Sequence, residues 1–215
     1  DSVIVTLDDS STLQGSHVLM AVGSLPNTDD LGLESAGVST DSRGFITVDR
    51  VSRTSARHIY AAGDCTGVNM LASVAAMQGR IAMYHALGDA VAPLESTAIS
   101  STIFTEPEIA TVGLQQADLD SGSFRGTTVL LPLRTNARAK MHGHHDGFVK
   151  LFARKGSQIV AGGVVVAPNA SELIHSITLA VDNRLTVDQL AQAFTVYPSL
   201  SGSVAEAARR MHATQ

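Results

Sequence analysis

One stretch of the sequence constrains the fold more than any other: TSARHIYAAGDCTGVNMLASVAAMQGR, residues 54–80. An apolar segment runs to Gly63-Asp64, a glycine-containing loop follows, and an Ala- and Met-rich segment begins near residue 69. The pattern predicts a strand, a tight turn and a helix that ends at Gly88. Free N–H groups at such a helix N-terminus favour anionic or electron-rich ligand atoms. The alternative is structural: the Asp64 carboxylate accepts hydrogen bonds from nearby backbone amides, and this strand–turn–helix corner (residues 54–80) binds no ligand.

The segments on either side of this corner indicate a sheet with long connections. SVIVTLDD (2–9) and SHVLMAVG (16–23) are predicted strands separated by a turn-rich segment. One short helical turn is expected around Leu31–Ala36, and FITVD (45–49) is expected to be a short strand. The Pro-containing segment DAVAPLEST predicts a domain boundary near residue 100.

The second half of the chain has a different pattern of predicted elements. Three strands are predicted, with a short turn between the last two: TTVLLPLR (127–134), GFVKLFARK (147–155) and QIVAGGVVV (158–166). Three helices follow: NASELIHSITLAVDNR (169–184), TVDQLAQAF (186–194) and SGSVAEAARRMHA (201–213). Asn169 or Ser171 is the expected cap of the first, and Thr186 of the second. Strands followed by helices indicate an α+β domain.

Composition excludes several classes of function. The chain has 215 residues, of which 44% are hydrophobic and 16% charged, as in globular domains with an apolar core. The formal charge of −5 gives no global basic surface for nucleic acid or an anionic membrane. The longest apolar runs are strand-sized, so no membrane span is predicted. The single cysteine, Cys65, allows no intrachain disulfide, which fits a reducing cytoplasm.

A histidine-rich turn, MHGHHDG, has two interpretations. Close-set histidines and a carboxylate can bind Zn or Ni: His142, His144, His145 and Asp146. The interleaved glycines, just before a predicted strand, favour an exposed turn instead, and no metal site is predicted.

The basic segment PLRTNARAKMH also leaves two possibilities open. Arg134, Arg138 and Lys140 form either a solvated loop or a local anion or substrate-entrance site. Farther upstream, the carboxylates of Glu106 and Glu108 flank Pro107, a spacing that points them apart and predicts a turn.

Three segments resemble one known family. HIYAAGDCTG with MLASVAAMQGR resembles the second flavin-binding segment of the FAD- and NAD(P)-dependent pyridine nucleotide-disulfide oxidoreductases. VLMAVGSLPNT resembles the segment that leads from the end of their nucleotide-binding domain back to the FAD domain, and IFTEPEIATVG resembles the start of their dimerisation domain. The resemblance implies an α/β fold for the FAD/NAD(P) nucleotide-binding part, followed by an α+β dimerisation domain. It implies that residues 1–38 end the NAD(P)-binding domain, 39–100 form the second FAD segment and 101–215 the dimerisation domain.

The resemblance also implies FAD as cofactor and NAD(P)H as cosubstrate. Asp64 matches the aspartate that family members use on the flavin ribityl and phosphate region, and Gly63 matches the close-approach glycine beside it. Met70, Leu71 and Ala72 match the helix start whose amides face the flavin pyrimidine ring. There the helix N-terminus stabilises negative charge on the reduced flavin.

The C-terminal segment TVYPSLSGS departs from the family pattern. Disulfide-reducing members carry a His directly before the Pro and a Glu shortly after it, and this pair handles a thiol proton. Tyr197 and Gly202 stand at those two positions. A phenol, with a reference pKa of about 10, is a poor general base at neutral pH. The resemblance therefore implies an NAD(P)H-oxidising flavoenzyme that passes electrons to a quinone-like acceptor, with Tyr197 as candidate catalytic residue.

Two alternatives stay open. A lipoamide dehydrogenase-like disulfide reductase would require an upstream CxxxxC, and a dimerisation fragment would have no catalysis of its own. The chain begins without Met on alternating β-branched residues, which predicts a fragment that alone binds FAD weakly or not at all and is inactive. A homodimer through residues 101–215, a small-molecule electron acceptor and a cytoplasmic location complete the expectations.

Overall fold

The computed structural model describes residues 2–212 and opens with a two-stranded antiparallel hairpin. Strand β1 is Val3–Thr6 and β2 is Thr12–Gly15. The prediction of a strand at 16–23 is wrong. The Leu7 N–H donates to the Ser11 carbonyl at 2.9 Å, so the chain turns there and β1 pairs with β2 instead of with residues 16–23. Residues 17–22 have no regular structure, and Leu19 is 88% exposed.

The segment up to the first helix is held by turns and isolated bridges. The helical turn expected around Leu31–Ala36 is confirmed, with the Ala36 N–H donating to the Gly32 carbonyl at 3.1 Å. The strands expected at 45–49 and before Gly63 are wrong, because only single bridges form there, such as Val48 with Thr54. A strand needs a neighbour along its length, and the described residues supply none to these segments. Helix α1, Ala72–Ala86, is confirmed, and Gly88 follows it at φ 90°.

The second half forms a five-stranded antiparallel sheet with strand order β3-β4-β7-β6-β5. The strands are β3 Ser100–Ile103, β4 Glu108–Gly113, β5 Gly126–Pro132, β6 Phe148–Arg154 and β7 Val160–Ala167. The last three were predicted and are confirmed. The first two are short and, at β3, polar, so they were not predicted.

Five further helices accompany this sheet: α2 Gln116–Asp120, α3 Ala137–Met141, α4 Ala170–Asp182, α5 Val187–Gln192 and α6 Gly202–His212. The last three confirm the predicted helices, although residue 213, the expected end of the last one, lies outside the described residues. Thr186 caps α5 as expected, in a reciprocal capping box with Gln189. Asn169 is the cap position of α4, but its side chain makes no capping hydrogen bond.

The main core lies between one face of the sheet and helices α4, α5 and α6. Val149 and Leu151, two residues apart on β6, face the core together with Val165 of β7. Ile177 of α4 is fully buried in the same cluster. Gly163 lets α4 approach closely, because a Cβ there would lie 2.9 Å from Ile177 Cγ2. The α+β prediction is confirmed for this half. No helix among residues 2–212 is both long and apolar enough to cross a bilayer.

Candidate functional site

The chain turns at Gly63 before it enters α1. This buried residue has φ 88° and ψ −158°, a conformation that residues with a Cβ rarely adopt. An added Cβ would also lie 3.3 Å from Ala75 Cβ on α1. A short 3₁₀ helix, Asp64–Thr66, follows and leaves Asp64 exposed.

A buried amide that was not predicted, Gln78 of α1, holds this turn in place. Gln78 is 1% exposed; its Oε1 accepts from the Gly63 N–H at 2.8 Å and its Nε2 donates to Thr66 Oγ1 at 3.3 Å. Thr66 Oγ1 in turn donates to the Gly63 carbonyl at 2.8 Å. The sequence does carry a signal: Gln78 interrupts the buried stripe of Val74, Ile81 and Ala82 at helical spacing.

The N-terminus of α1 is open to a ligand. Its cap residue, Leu71, has an extended backbone and gives no side-chain hydrogen bond, and the first turn contains no acidic side chain. Met70 is 42% exposed, and Ala72 is exposed at the first helical position. A helix end with uncapped N–H groups and an exposed carboxylate nearby, Asp64, fits the electron-rich ring and hydroxylated chain of a flavin.

Tyr197 lies on an exposed segment between α5 and α6. Its side chain is 84% exposed, and Phe194 and Val196 are exposed at 106% and 78%. Tyr197 and Gly202 line the same cavity of about 240 Å³. A Cβ on Gly202 would meet only Ser199 Oγ at 3.6 Å and Thr195 Oγ1 at 3.8 Å, so the position has room for a side chain.

Two further polar residues shape the Tyr197 cavity. Asn136, which sequence analysis missed, donates from Nδ2 to the Ser199 carbonyl at 2.9 Å and to Ser203 Oγ at 2.8 Å. Glu206 also lines the cavity, but its carboxylate accepts from Arg209 Nε at 3.0 Å and Arg210 Nε at 3.1 Å. Partial burial raises the pKa of Glu206, but hydrogen bonds and charge from the two guanidinium groups leave it below its ordinary value. This carboxylate is therefore engaged by its own helix.

The remaining candidates separate into different places. The rings of His142 and His144 stack with centroids 5.9 Å apart, and no group of three or more metal ligands occurs among residues 2–212. Arg138 joins these two histidines around a second cavity, which Arg134 and Lys140 do not line. Cys65 is half-buried.

Glu108 has a role that the sequence did not reveal. Its Oε2 accepts from the Ser171 N–H at 2.9 Å and from Ser171 Oγ at 2.8 Å, at the start of α4. Both hydrogen bonds lower the pKa of Glu108, and the bond from the Ser171 backbone N–H has the larger effect. The carboxylate thus supplies the cap that Asn169 does not.

Comparisons with known proteins agree on one family. The family model described as pyridine nucleotide-disulphide oxidoreductase matches residues 1–79, and its dimerisation domain matches residues 99–208. An NAD(P)H dehydrogenase (quinone) from Mycobacterium tuberculosis is 60% identical over 211 residues, which are 98% of this chain and 43% of that protein. A dihydrolipoyl dehydrogenase from Haloferax volcanii is 38% identical over 213 residues, covering 97% and 45%.

Solved structures agree with this assignment. The crystal structure of LpdA from Mycobacterium tuberculosis matches with a TM-score of 0.90 and 60% identity, covering 96% of this chain and 45% of that one. The flavoprotein disulfide reductase RclA from Escherichia coli shares the fold, with a TM-score of 0.81 at 24% identity. The chain thus spans less than half the length of the relatives it matches. It belongs to the pyridine nucleotide-disulphide oxidoreductase family.

Proposed function

We propose that this chain is part of an FAD-dependent oxidoreductase that oxidises NAD(P)H and passes electrons to a quinone-like acceptor. One observation carries the choice of acceptor: Tyr197 and Gly202 line the cavity where a His–Glu pair would be needed for thiol chemistry. Glu206, the carboxylate in that cavity, is bonded to Arg209 and Arg210 and so does not replace the missing Glu. The 60% identical relative named NAD(P)H dehydrogenase (quinone) supports the same choice.

Five residues at the corner would hold the cofactor: Gly63, Asp64, Met70, Leu71 and Ala72. When bound, FAD supplies the two-electron redox chemistry. The backbone at Gly63 permits close approach, and the Asp64 carboxylate accepts hydrogen bonds from hydroxyl groups. The N–H of Ala72, at the first position of α1, would place the positive end of the helix against electron-rich atoms, whereas the Leu71 N–H donates to the Asn69 carbonyl at 2.9 Å. Such an end stabilises negative charge by about 0.3–1 kcal/mol, rising to roughly 2 when partly buried.

Tyr197 would act by hydrogen bonding. Its exposed phenol donates to a carbonyl-type oxygen of the acceptor without needing a charged partner. This role suits a quinone, whose two oxygens take up charge during reduction. It does not suit a dithiol, whose reduction needs a group that accepts and returns a proton near neutral pH.

The functional unit is a homodimer formed through residues 101–215, in this proposal. The match to the dimerisation domain supports it. So does the exposed apolar segment formed by Phe194, Val196 and Tyr197, because large apolar side chains grouped on a surface mark interaction sites. The sheet and helices from β3 onwards agree with a division near residue 100. The boundary near residue 38 and a cytoplasmic location stay predictions.

A second function is favoured by one observation, the 38% identity to a dihydrolipoyl dehydrogenase. Anaerobic titration of the flavin-loaded protein with NAD(P)H separates the two. We expect direct bleaching of the flavin spectrum and reoxidation by 2-methyl-1,4-naphthoquinone. A long-wavelength thiolate-to-flavin charge-transfer band, with lipoamide turnover, would support the disulfide reductase instead. Absence of flavin from the whole protein of which this chain is part, rather than from residues 1–215 alone, would support a role in dimerisation without catalysis.

A further inference from the structure

A second cavity next to Tyr197 has a basic lining. Between residues 133 and 147 the chain carries Arg134, Arg138 and Lys140 with three histidines, against one acid, Asp146. The whole chain has a formal charge of −5, so this basic segment is opposite in sign to the net charge of the chain. Local positive potential of this kind attracts anions.

The fold brings part of this segment together around a cavity of about 520 Å³. Its lining includes Arg138, His142 and His144 together with Val196, Pro198 and Ser199. No carboxylate lines this cavity. Because Val196 and Pro198 are the chain neighbours of Tyr197, a group bound here lies beside the segment that carries the candidate catalytic phenol.

The polar groups that line the cavity are available to a ligand. Within residues 2–212, the side chains of Arg138, His142 and His144 have no hydrogen-bond or ion-pair partner; the two imidazoles only stack on each other. Asn169 also lines the cavity and makes no side-chain capping bond to α4. Glu108 satisfies the neighbouring Ser171 N–H but does not line the cavity.

We propose that this cavity binds an oxyanion, a phosphate, carboxylate or sulfonate, carried by the electron acceptor. The guanidinium of Arg138 offers a planar fork of donors that matches two oxygens of such a group, and the imidazoles add further N–H donors. The enzyme would then prefer acceptors with an anionic group on the ring or side chain. The link to the acceptor rests on the proposed function; oxyanion binding by the cavity does not.

Calorimetric titration of the holoenzyme with inorganic phosphate, at constant ionic strength in chloride, tests the cavity without turnover. We expect saturable binding that weakens about tenfold in Arg138→Gln, the loss typical of one charge-assisted hydrogen bond. Arg134→Gln is the matched control, because it removes the same charge from the same segment without altering the cavity lining. Equal weakening in both variants, or no saturable binding to the parent, would overturn the proposal.

A comparison of two acceptors tests the link to turnover. The probes are 1,4-naphthoquinone-2-sulfonate, which is anionic, and 2-methyl-1,4-naphthoquinone, which is neutral. The quantity compared is kcat/KM for the sulfonate divided by kcat/KM for the neutral quinone. We expect this ratio to fall about tenfold in Arg138→Gln, because the KM for the sulfonate rises, and to be unchanged in Arg134→Gln. An unchanged ratio in Arg138→Gln, or a rise only in the KM for NAD(P)H, would refute the acceptor assignment. Failure of the parent to reduce either quinone would refute the proposed function, while the phosphate titration would still decide on the cavity.

Discussion

At the scale of single residues, Gln78 has the clearest structural role at the corner. Its amide is buried and bonds to both Gly63 and Thr66, so it fixes the turn that leads into α1. Gln78→Leu would leave the buried Gly63 N–H without a partner. We expect the free energy of unfolding, measured in urea, to fall by about 1–3 kcal/mol, and the affinity for FAD to fall with it.

The control for this change lies on the same helix. Met83 is 61% exposed, so Met83→Leu should alter neither stability nor flavin affinity. A Gln78→Leu protein with the stability and flavin affinity of the parent would show that the turn does not depend on this amide.

Tyr197 and Gly202 form a second residue-scale case. Tyr197→His alone should produce no lipoamide turnover above the parent, because Gly202 provides no carboxylate to orient the imidazole. The double variant Tyr197→His with Gly202→Glu is the comparison, because it supplies both members of the pair. Position 202 has room for the new side chain, since an added Cβ there makes only ordinary van der Waals contacts. Lipoamide turnover by the single variant, well above the parent, would contradict the role assigned to the missing pair.

At the scale of elements, the start of α4 depends on a carboxylate from another strand. Glu108, the first residue of β4, caps α4 through Ser171 and has a lowered pKa. A lowered pKa in the folded state means that the ionised form stabilises the fold above the unfolded pKa, about 4.3 for Glu. This contribution is lost as the pH falls through the lower folded value.

Glu108→Gln should therefore lower the Tm at neutral pH, with a gap from the parent that closes on acidification below about pH 4.3. Thermal unfolding followed by circular dichroism between neutral and acidic pH measures the gap. Glu172→Gln removes an exposed carboxylate from the first turn of the same helix without touching the Ser171 bonds. An equal gap in both variants would assign the effect to general charge at the helix end.

At the scale of the whole molecule, the exposed segment around Tyr197 predicts how two copies meet. Phe194 is fully exposed, and burial of such a side chain in a dimer is favourable by about 1.5–3 kcal/mol. Phe194→Asp should shift the holoenzyme toward monomer in sedimentation velocity, with an unchanged far-UV spectrum. Leu87→Asp is the control: Leu87 is 75% exposed but lies outside the matched dimerisation domain. Equal dissociation in both variants would contradict the proposed interface.

The same scale shows where sequence patterns were sufficient. β5, β6 and β7 were predictable because they alternate or run apolar over seven or eight residues, and α1 and α4 because they are long. β3 and β4 were missed, since β3 has four residues of which three are Ser or Thr. Residues 16–23 were assigned wrongly because an apolar run does not specify its pairing partner; the turn before Ser11 determined it.

Local residue patterns were enough to predict the family, the order of the main elements and the candidate positions Gly63, Asp64, Tyr197 and Gly202. These depend on local patterns and on the identity of single positions. Three long-range hydrogen bonds became visible only in the folded chain: Gln78 to Gly63, Glu108 to Ser171 and Asn136 to Ser203, at separations of 15, 63 and 67 residues. Each of these bonds forms because packed helices and strands bring distant polar groups within 3 Å, a distance that no local pattern encodes.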